Sequence, residues 1–219
     1  MEYKPLIFQL LQTNPTVAIA FIVGLVFAIS IHEFAHALIA YRLGDPTAKL
    51  AGRLTLNPAA HLDPIGTLAL LLVGIGWGKP TPFDPFNLRN VKRDSALISV
   101  AGALSNFLLA TLISLPYLIA YLSENLSLQI HSIYQTLAVV IWINLILGVF
   151  NLIPVSPLDG FKVLGGLLPK DWYRDFIQTE RYGIFILLAL LLTGVLGRII
   201  FPIVSLLFNL LAPGLAFGF

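Results

Sequence analysis

The run from Thr16 to Tyr41 is apolar over about 26 residues, enough for a helix to cross a bilayer, yet its second half carries His32, Glu33 and His36. An ionisable group at the bilayer centre costs roughly 2.5 to 3.5 kcal/mol even on lenient insertion scales. Three clustered there need a compensating role, and metal coordination supplies one. The order His32, Glu33, Phe34, Ala35, His36 is an HExxH pattern.

The rest of the 219-residue chain is equally short of polar surface. It is 58% hydrophobic and 11% charged, against about 25% charged residues in soluble domains. Several apolar runs point to one polytopic bundle, an all-α membrane protein expected in the cell membrane. The first run lacks a cationic n-region and a small-residue cleavage site, so it reads as a retained span and not a signal peptide. Further spans are expected over about Ser95–Leu122 and Ile133–Ile153, then apolar segments at Tyr182–Leu196 and Ile199–Leu211, separated at Gly197 and Arg198. Met1 to Asn14 is too short to span and reads as interfacial. A single transmembrane domain is expected over 1–219, with residues 15–168 as its core and 169–219 as C-terminal membrane helices. Asn14-Pro15, Asn57-Pro58 and Asp63-Pro64 each look like an N-cap followed by a first-turn proline. The helix opened by Asp63 has about half the length of a span and is expected to be re-entrant or interfacial. Thr47 to Leu56 alternates in the manner of a short β-strand.

Charge gives orientation. Eleven of the 13 Lys and Arg lie in two loops: Arg42, Lys49, Arg53, Lys79, Arg89, Lys92 and Arg93 in the first, Lys162, Lys170, Arg174 and Arg181 in the second. Ser123 to Ser132, between them, has none. The positive-inside rule makes both basic loops cytoplasmic, which places His32 to His36 in the cytoplasmic half of the first span.

Histidines four apart share a helix face, so His32 and His36 can present two nitrogens to one Zn2+. Glu33 beside them can take a proton from water acidified by that ion. The chain has no cysteine, so a third ligand must be His or carboxylate. A metzincin continuation is excluded, because Ile39 and Arg42 stand where Gly and His would be required. Asp159 is the best acidic candidate, since it follows the Pro154 and Pro157 break below the third span, at a depth near His36. Its competing role is N-cap of the next helix. Asn144, Gly148 and Asn151 form a small, polar stripe on the third span. Asn106 lies among Ala101, Gly102, Ala103 and Ser105, which let another helix approach closely. Interhelical hydrogen bonds are the alternative for these asparagines. His61 reads as a loop-fixing residue and Asp63 as a cap.

These motifs resemble the site-2 protease family of intramembrane zinc metalloproteases. HEFAHA (His32–Ala37) is similar to its zinc-binding motif and FNLIPVSPLDG (Phe150–Gly160) to its Asn and Pro-Leu-Asp-Gly motif. LNPAAHLDPIGT (Leu56–Thr67), GWGKPTPF (Gly76–Phe83) and AGALSN (Ala101–Asn106) are further likenesses. The resemblance implies one Zn2+ per chain on His32, His36 and Asp159, and Glu33 as catalytic acid/base. It also suggests Asn151 as the residue that holds the substrate backbone or donates to the developing oxyanion; Asn106 is a further catalytic candidate, its amide brought within reach of the site by the close approach of another helix. Ala103 and Phe161 depart from the family pattern, where proline and a second glycine are common. The chain looks like a minimal form without PDZ or CBS domains.

The function expected is hydrolysis of a peptide bond in or near a transmembrane segment, close to the cytoplasmic side. The expected partners are a transmembrane protein substrate and the lipid bilayer, with no nucleic acid; a homo-oligomer is left open. The Thr47–Leu56 strand is expected to pair with the unwound substrate. A metal-ion transporter is the chief alternative, but it would need ligands at several depths, and only two of the four histidines lie in a span. An inactive scaffold is the third reading.

Overall fold

A computed structural model describes residues 12–73 and 76–215, the side chains of 70–73 excepted. The interfacial segment expected over Met1–Asn14 falls outside the described residues as far as Leu11. Nine α-helices are present among the described residues from Pro15 onward. Three are long and apolar enough to cross a membrane: α1 (Pro15–Arg42), α4 (Val91–Leu122) and α5 (Leu128–Asn151). A helix satisfies its own backbone groups, which an apolar medium demands.

The caps read from sequence are formed. The Asn14 side chain accepts from Val17 N–H at 3.2 Å to open α1. Asp63 accepts from Gly66 N–H at 2.7 Å to start α3 (Pro64–Val73). At 10 residues, or about 15 Å, α3 covers half of a ~30 Å hydrocarbon core. Helix α4 begins four residues earlier than its apolar run, because Asn90 accepts from Arg93 N–H and Asp94 accepts from Asn90 N–H. That reciprocal pair draws Lys92 and Arg93 into the helix.

Outward faces are apolar. Leu104, Leu108, Leu112, Leu115 and Ile119 line one exposed side of α4, and Ile19, Val23 and Phe27 one side of α1. Such stripes fit lipid, not water. Inward, α4 packs on α1, α5 and α6 (Asp159–Leu167). Gly166 lets α6 approach closely, since a Cβ there would lie 2.4 Å from Ala96 Cβ. Lys92 donates to the Leu168 carbonyl at the same contact.

Two expectations are corrected. No strand forms at Thr47–Leu56; Thr47–Leu50 is a helical turn, α2. The Asp45 carboxylate accepts from Thr47 N–H at 3.0 Å and from its hydroxyl. Gly52, at φ +70°, ends the turn in the left-handed region that glycine enters cheaply. Leu50, at the end of that turn, is 82% exposed. Among the described residues the only β feature is an isolated antiparallel bridge between Leu62 and Gly78, so a substrate-pairing edge at Thr47–Leu56 falls away.

The C-terminal break also moves. After the amphipathic α7 (Lys170–Ile177), α8 (Gly183–Leu192) and α9 (Val195–Leu211) meet at Gly194, not at Gly197 and Arg198. Gly194 has φ +70°, and the chain axis turns by 76° there.

Candidate metal centre

His32 and His36 are buried on the inward face of α1. From His32 to the end of α1 at Arg42 is about 15 Å along the axis. Their rings meet edge to face, 4.6 Å between centroids. Gly102 on α4 lies against both: a Cβ there would come within 2.5 Å of His36 Cε1 and 2.6 Å of His32 Cε1. The small residues around Asn106 thus allow the close approach that their composition suggested.

Asp159 opens α6, while Leu158 takes the N-cap position. Its Oδ2 lies 3.1 Å from His32 Nε2 and 3.2 Å from His36 Nε2. Capping, the competing role for this carboxylate, is therefore not where the side chain is directed. Gly160 lets the turn close, since a Cβ there would meet the Leu152 carbonyl oxygen at 2.2 Å.

The outer nitrogens decide what the inner ones offer. His36 Nδ1 lies 2.7 Å from the Ile98 carbonyl oxygen, which only accepts, so Nδ1 carries the proton. For His32 the partner is Asn106 Oδ1 at 2.7 Å. The Asn106 amide is oriented by donation from Nδ2 to the Ala28 carbonyl at 3.1 Å and to Asn144 Oδ1 at 3.0 Å. Asn144 is oriented in turn by its Nδ2, which donates to the Val140 carbonyl at 2.9 Å. The chain of donors ends on a backbone carbonyl, so His32 Nδ1 also carries its proton. In the neutral rings both Nε2 atoms are therefore lone-pair donors that face the Asp159 carboxylate, and a cation between them satisfies all three.

Zinc fits this donor set. Two imidazoles and a carboxylate are a hydrolytic zinc's protein ligands, and donors about 2.0–2.1 Å from a tetrahedral ion stand about 3.3–3.4 Å apart. The two histidine-to-Asp159 separations are close to that, and the three donor atoms lie within 4.8 Å of one another.

A cleft of about 150 Å³ opens on the three residues and is also lined by Glu33, Thr81, Asn151 and Lys162. Asn151 borders the cleft, with its Nδ2 donating to the Leu147 carbonyl one turn back at 3.0 Å. Asn106 is fully buried behind His32. Gly148 packs on Phe107, and Asn144 serves the chain behind His32. His61, fully buried, bonds the Thr55 carbonyl through Nε2 at 2.8 Å, while its Nδ1 has no partner among the described residues. Sequence reading missed Thr81, whose N–H donates to Glu33 Oε2 at 2.7 Å and whose hydroxyl donates to the Glu33 carbonyl at 3.0 Å. Its one signal was a place in GWGKPTPF.

The chain is similar to several known proteins. The model of Peptidase family M50 matches residues 113–194. YwhC of Bacillus subtilis (strain 168) is 37% identical over 186 residues, covering 84% of this chain and 85% of its own. Rip2 of Mycolicibacterium smegmatis is 29% identical over 199 residues, 88% of this chain and 74% of its own. MJ0392 of Methanocaldococcus jannaschii is 26% identical over 193 residues, 86% of this chain and 47% of its own. All three carry "zinc metalloprotease" in their names. No solved structure matches the chain. With its apolar spanning helices and these relatives, the chain is an integral membrane protein and belongs to peptidase family M50, the site-2 protease family of zinc metalloproteases.

Proposed function

We propose that this enzyme is an intramembrane protease, cutting a peptide bond in or near a transmembrane segment of a membrane protein, close to the cytoplasmic side. The observation that carries the reading is the meeting of His32, His36 and Asp159 beside Glu33, inside helices whose outer faces are apolar. One Zn2+ per chain would be held by the two Nε2 atoms and the Asp159 carboxylate, where it supplies Lewis acidity to water and to the scissile carbonyl. The charge distribution supports a cytoplasmic location for both basic loops in the cell membrane. The whole chain acts as one catalytic domain.

The protein's own groups then have separate tasks. The Glu33 carboxylate takes the proton of the attacking water and returns it to the leaving amine. Asn151, at the cleft wall, meets the substrate backbone or the developing oxyanion. Asn106 touches neither; it fixes the ring and tautomer of His32. Full burial of Asn106 keeps bulk water from competing for its bond to His32.

The test is reconstitution of the purified chain in vesicles with a single-span protein substrate. The wild type cleaves it and Glu33→Gln reduces the rate by at least about 100-fold, the lower range of acid-base contributions. Equal cleavage by both proteins ends the proposal.

A further inference from the structure

The Glu33 carboxylate is gripped from outside its own helix, by a strap running from Lys79 to Asp84. Lys79, Thr81 and Asp84 each precede a proline, which biases all three toward extended backbone, while Pro80 and Pro82 have fixed φ. Each end of the strap is anchored by a buried ion bonded to main chain. Arg53, 5% exposed, donates to the carbonyls of Lys79 at 3.3 Å and Pro80 at 3.4 Å, and to that of Ala60. Asp45, fully buried, accepts from Asp84 N–H at 2.7 Å and Asn87 Nδ2 at 2.8 Å. Neither ion has an opposite charge in salt-bridge contact among the described residues. Short hydrogen bonds to charged groups are the strong ones, so the Asp45 end, at 2.7 Å, is the tighter anchor and the Arg53 end, at 3.3 and 3.4 Å, the looser.

Between the anchors Thr81 holds Glu33 at two points. Its N–H engages Oε2, and its hydroxyl engages the Glu33 main-chain oxygen. A carboxylate on two rotatable χ angles and a terminal torsion would otherwise sample several rotamers. We propose that Thr81 is a positioning residue for Glu33. Its hydroxyl docks the strap on the Glu33 main chain, which brings its N–H to Oε2 and leaves Oε1 to receive the proton, and Arg53 and Asp45 set its place by anchoring the strap. The inference rests on the protease reading above. It assigns to a proline-rich connection a part in orienting the acid/base group.

The experiment uses the full chain in vesicles with the same substrate. Thr81→Val keeps the N–H and removes the hydroxyl, so the residue is held at one point in place of two. It lowers kcat about tenfold, a part of the acid-base contribution, with KM within about twofold of wild type and zinc content unchanged. Thr81→Ser recovers kcat to within about twofold. Wild-type kcat in Thr81→Val overturns the proposal. So does a change confined to KM, which would make Thr81 a substrate contact. A second arm needs no activity. Hydrogen exchange over 79–84 reports few amides, because Pro80 and Pro82 have none. In Glu33→Ala the Thr81 amide exchanges at least about tenfold faster, and unchanged exchange refutes the contact. If the wild type cleaves nothing, the protease reading falls, while the exchange arm still decides whether Thr81 holds Glu33.

Discussion

Asn106→Ala isolates the support behind His32 without touching a proposed ligand. The truncation removes the acceptor of His32 Nδ1–H and the donor to Asn144 Oδ1, both fully enclosed. Loss of a partner behind a metal-binding histidine costs about 10- to 100-fold in metal affinity, or about 1.4–2.7 kcal/mol. The fold loses more than that, since two buried polar groups are stranded at about 1–3 kcal/mol each. Asn144→Ala separates the two effects. It also strands a polar group, the Asn106 amide keeps the Ala28 carbonyl, and the His32 tautomer stays fixed. Zinc affinity should therefore fall by no more than about threefold in Asn144→Ala, a fraction of the direct loss. Competition against a chromophoric chelator measures both affinities, and thermal unfolding in detergent measures both stabilities. The argument is refuted if Asn106→Ala binds zinc as tightly as wild type. It is equally refuted if Asn144→Ala loses as much zinc affinity as Asn106→Ala, because affinity would then track general loosening and not ring orientation.

Two further outcomes are expected. Asp159→Ala leaves two imidazoles without the carboxylate that faces them, so metal analysis of the purified protein should show bound zinc falling from about one per chain to near zero; full zinc content would move the third ligand elsewhere. Asp45 gives a dependence on pH. Burial pushes its carboxyl up, but hydrogen bonds from the Thr47 hydroxyl, the Asn87 amide and the N–H groups of Thr47 and Asp84 hold it below the ordinary value. A depressed folded-state pKa contributes stability above the unfolded value, about 3.9, and that stability is lost as pH falls through the folded value. Asp45→Asn should therefore be less stable than wild type at pH 7, by about 1–3 kcal/mol, and the gap should narrow in acid below about pH 4. A gap that stays constant to pH 2 would show that the carboxylate charge is not what anchors the strap.

Spans and caps were legible because their causes are local. Length and apolarity specify α1, α4 and α5, and Asn14 and Asp63 cap their helices through their own side chains. Errors arose where a local pattern met a stronger distant partner. The alternation after Thr47 looked like a strand, but Asp45, held by Asp84 and Asn87 some 40 residues on, nucleates a helical turn there. The C-terminal break fell at Gly194 because its backbone has positive φ, a property that Gly197 within α9 does not need. In the centre, His32, His36 and Asp159 were legible from depth and spacing. Thr81 was not, since its stronger contact with Glu33 is a backbone N–H that any residue except proline provides. Arg53 had counted only as one positive charge among the 11 that set orientation, whereas its guanidinium is spent on three carbonyls.

The polar groups that bilayer energetics make expensive are also what joins the helices. His32 on α1 reaches Asn106 on α4, Asn106 reaches Asn144 on α5, and Asp159 on α6 closes back on both histidines. Each contact crosses from one helix to another, in a medium where apolar packing alone gives little drive for helix association. Removing any one member strands a buried polar atom on a different helix, so the cost of a substitution is shared between metal affinity and bundle integrity. Glu33 stands apart from this arrangement. It is held by the strap from the first basic loop and lines the cleft together with Asp159 and Lys162. On the proposed reading, ligand geometry depends on helix packing, and the orientation of the proton-transfer group depends also on a connection outside the helices.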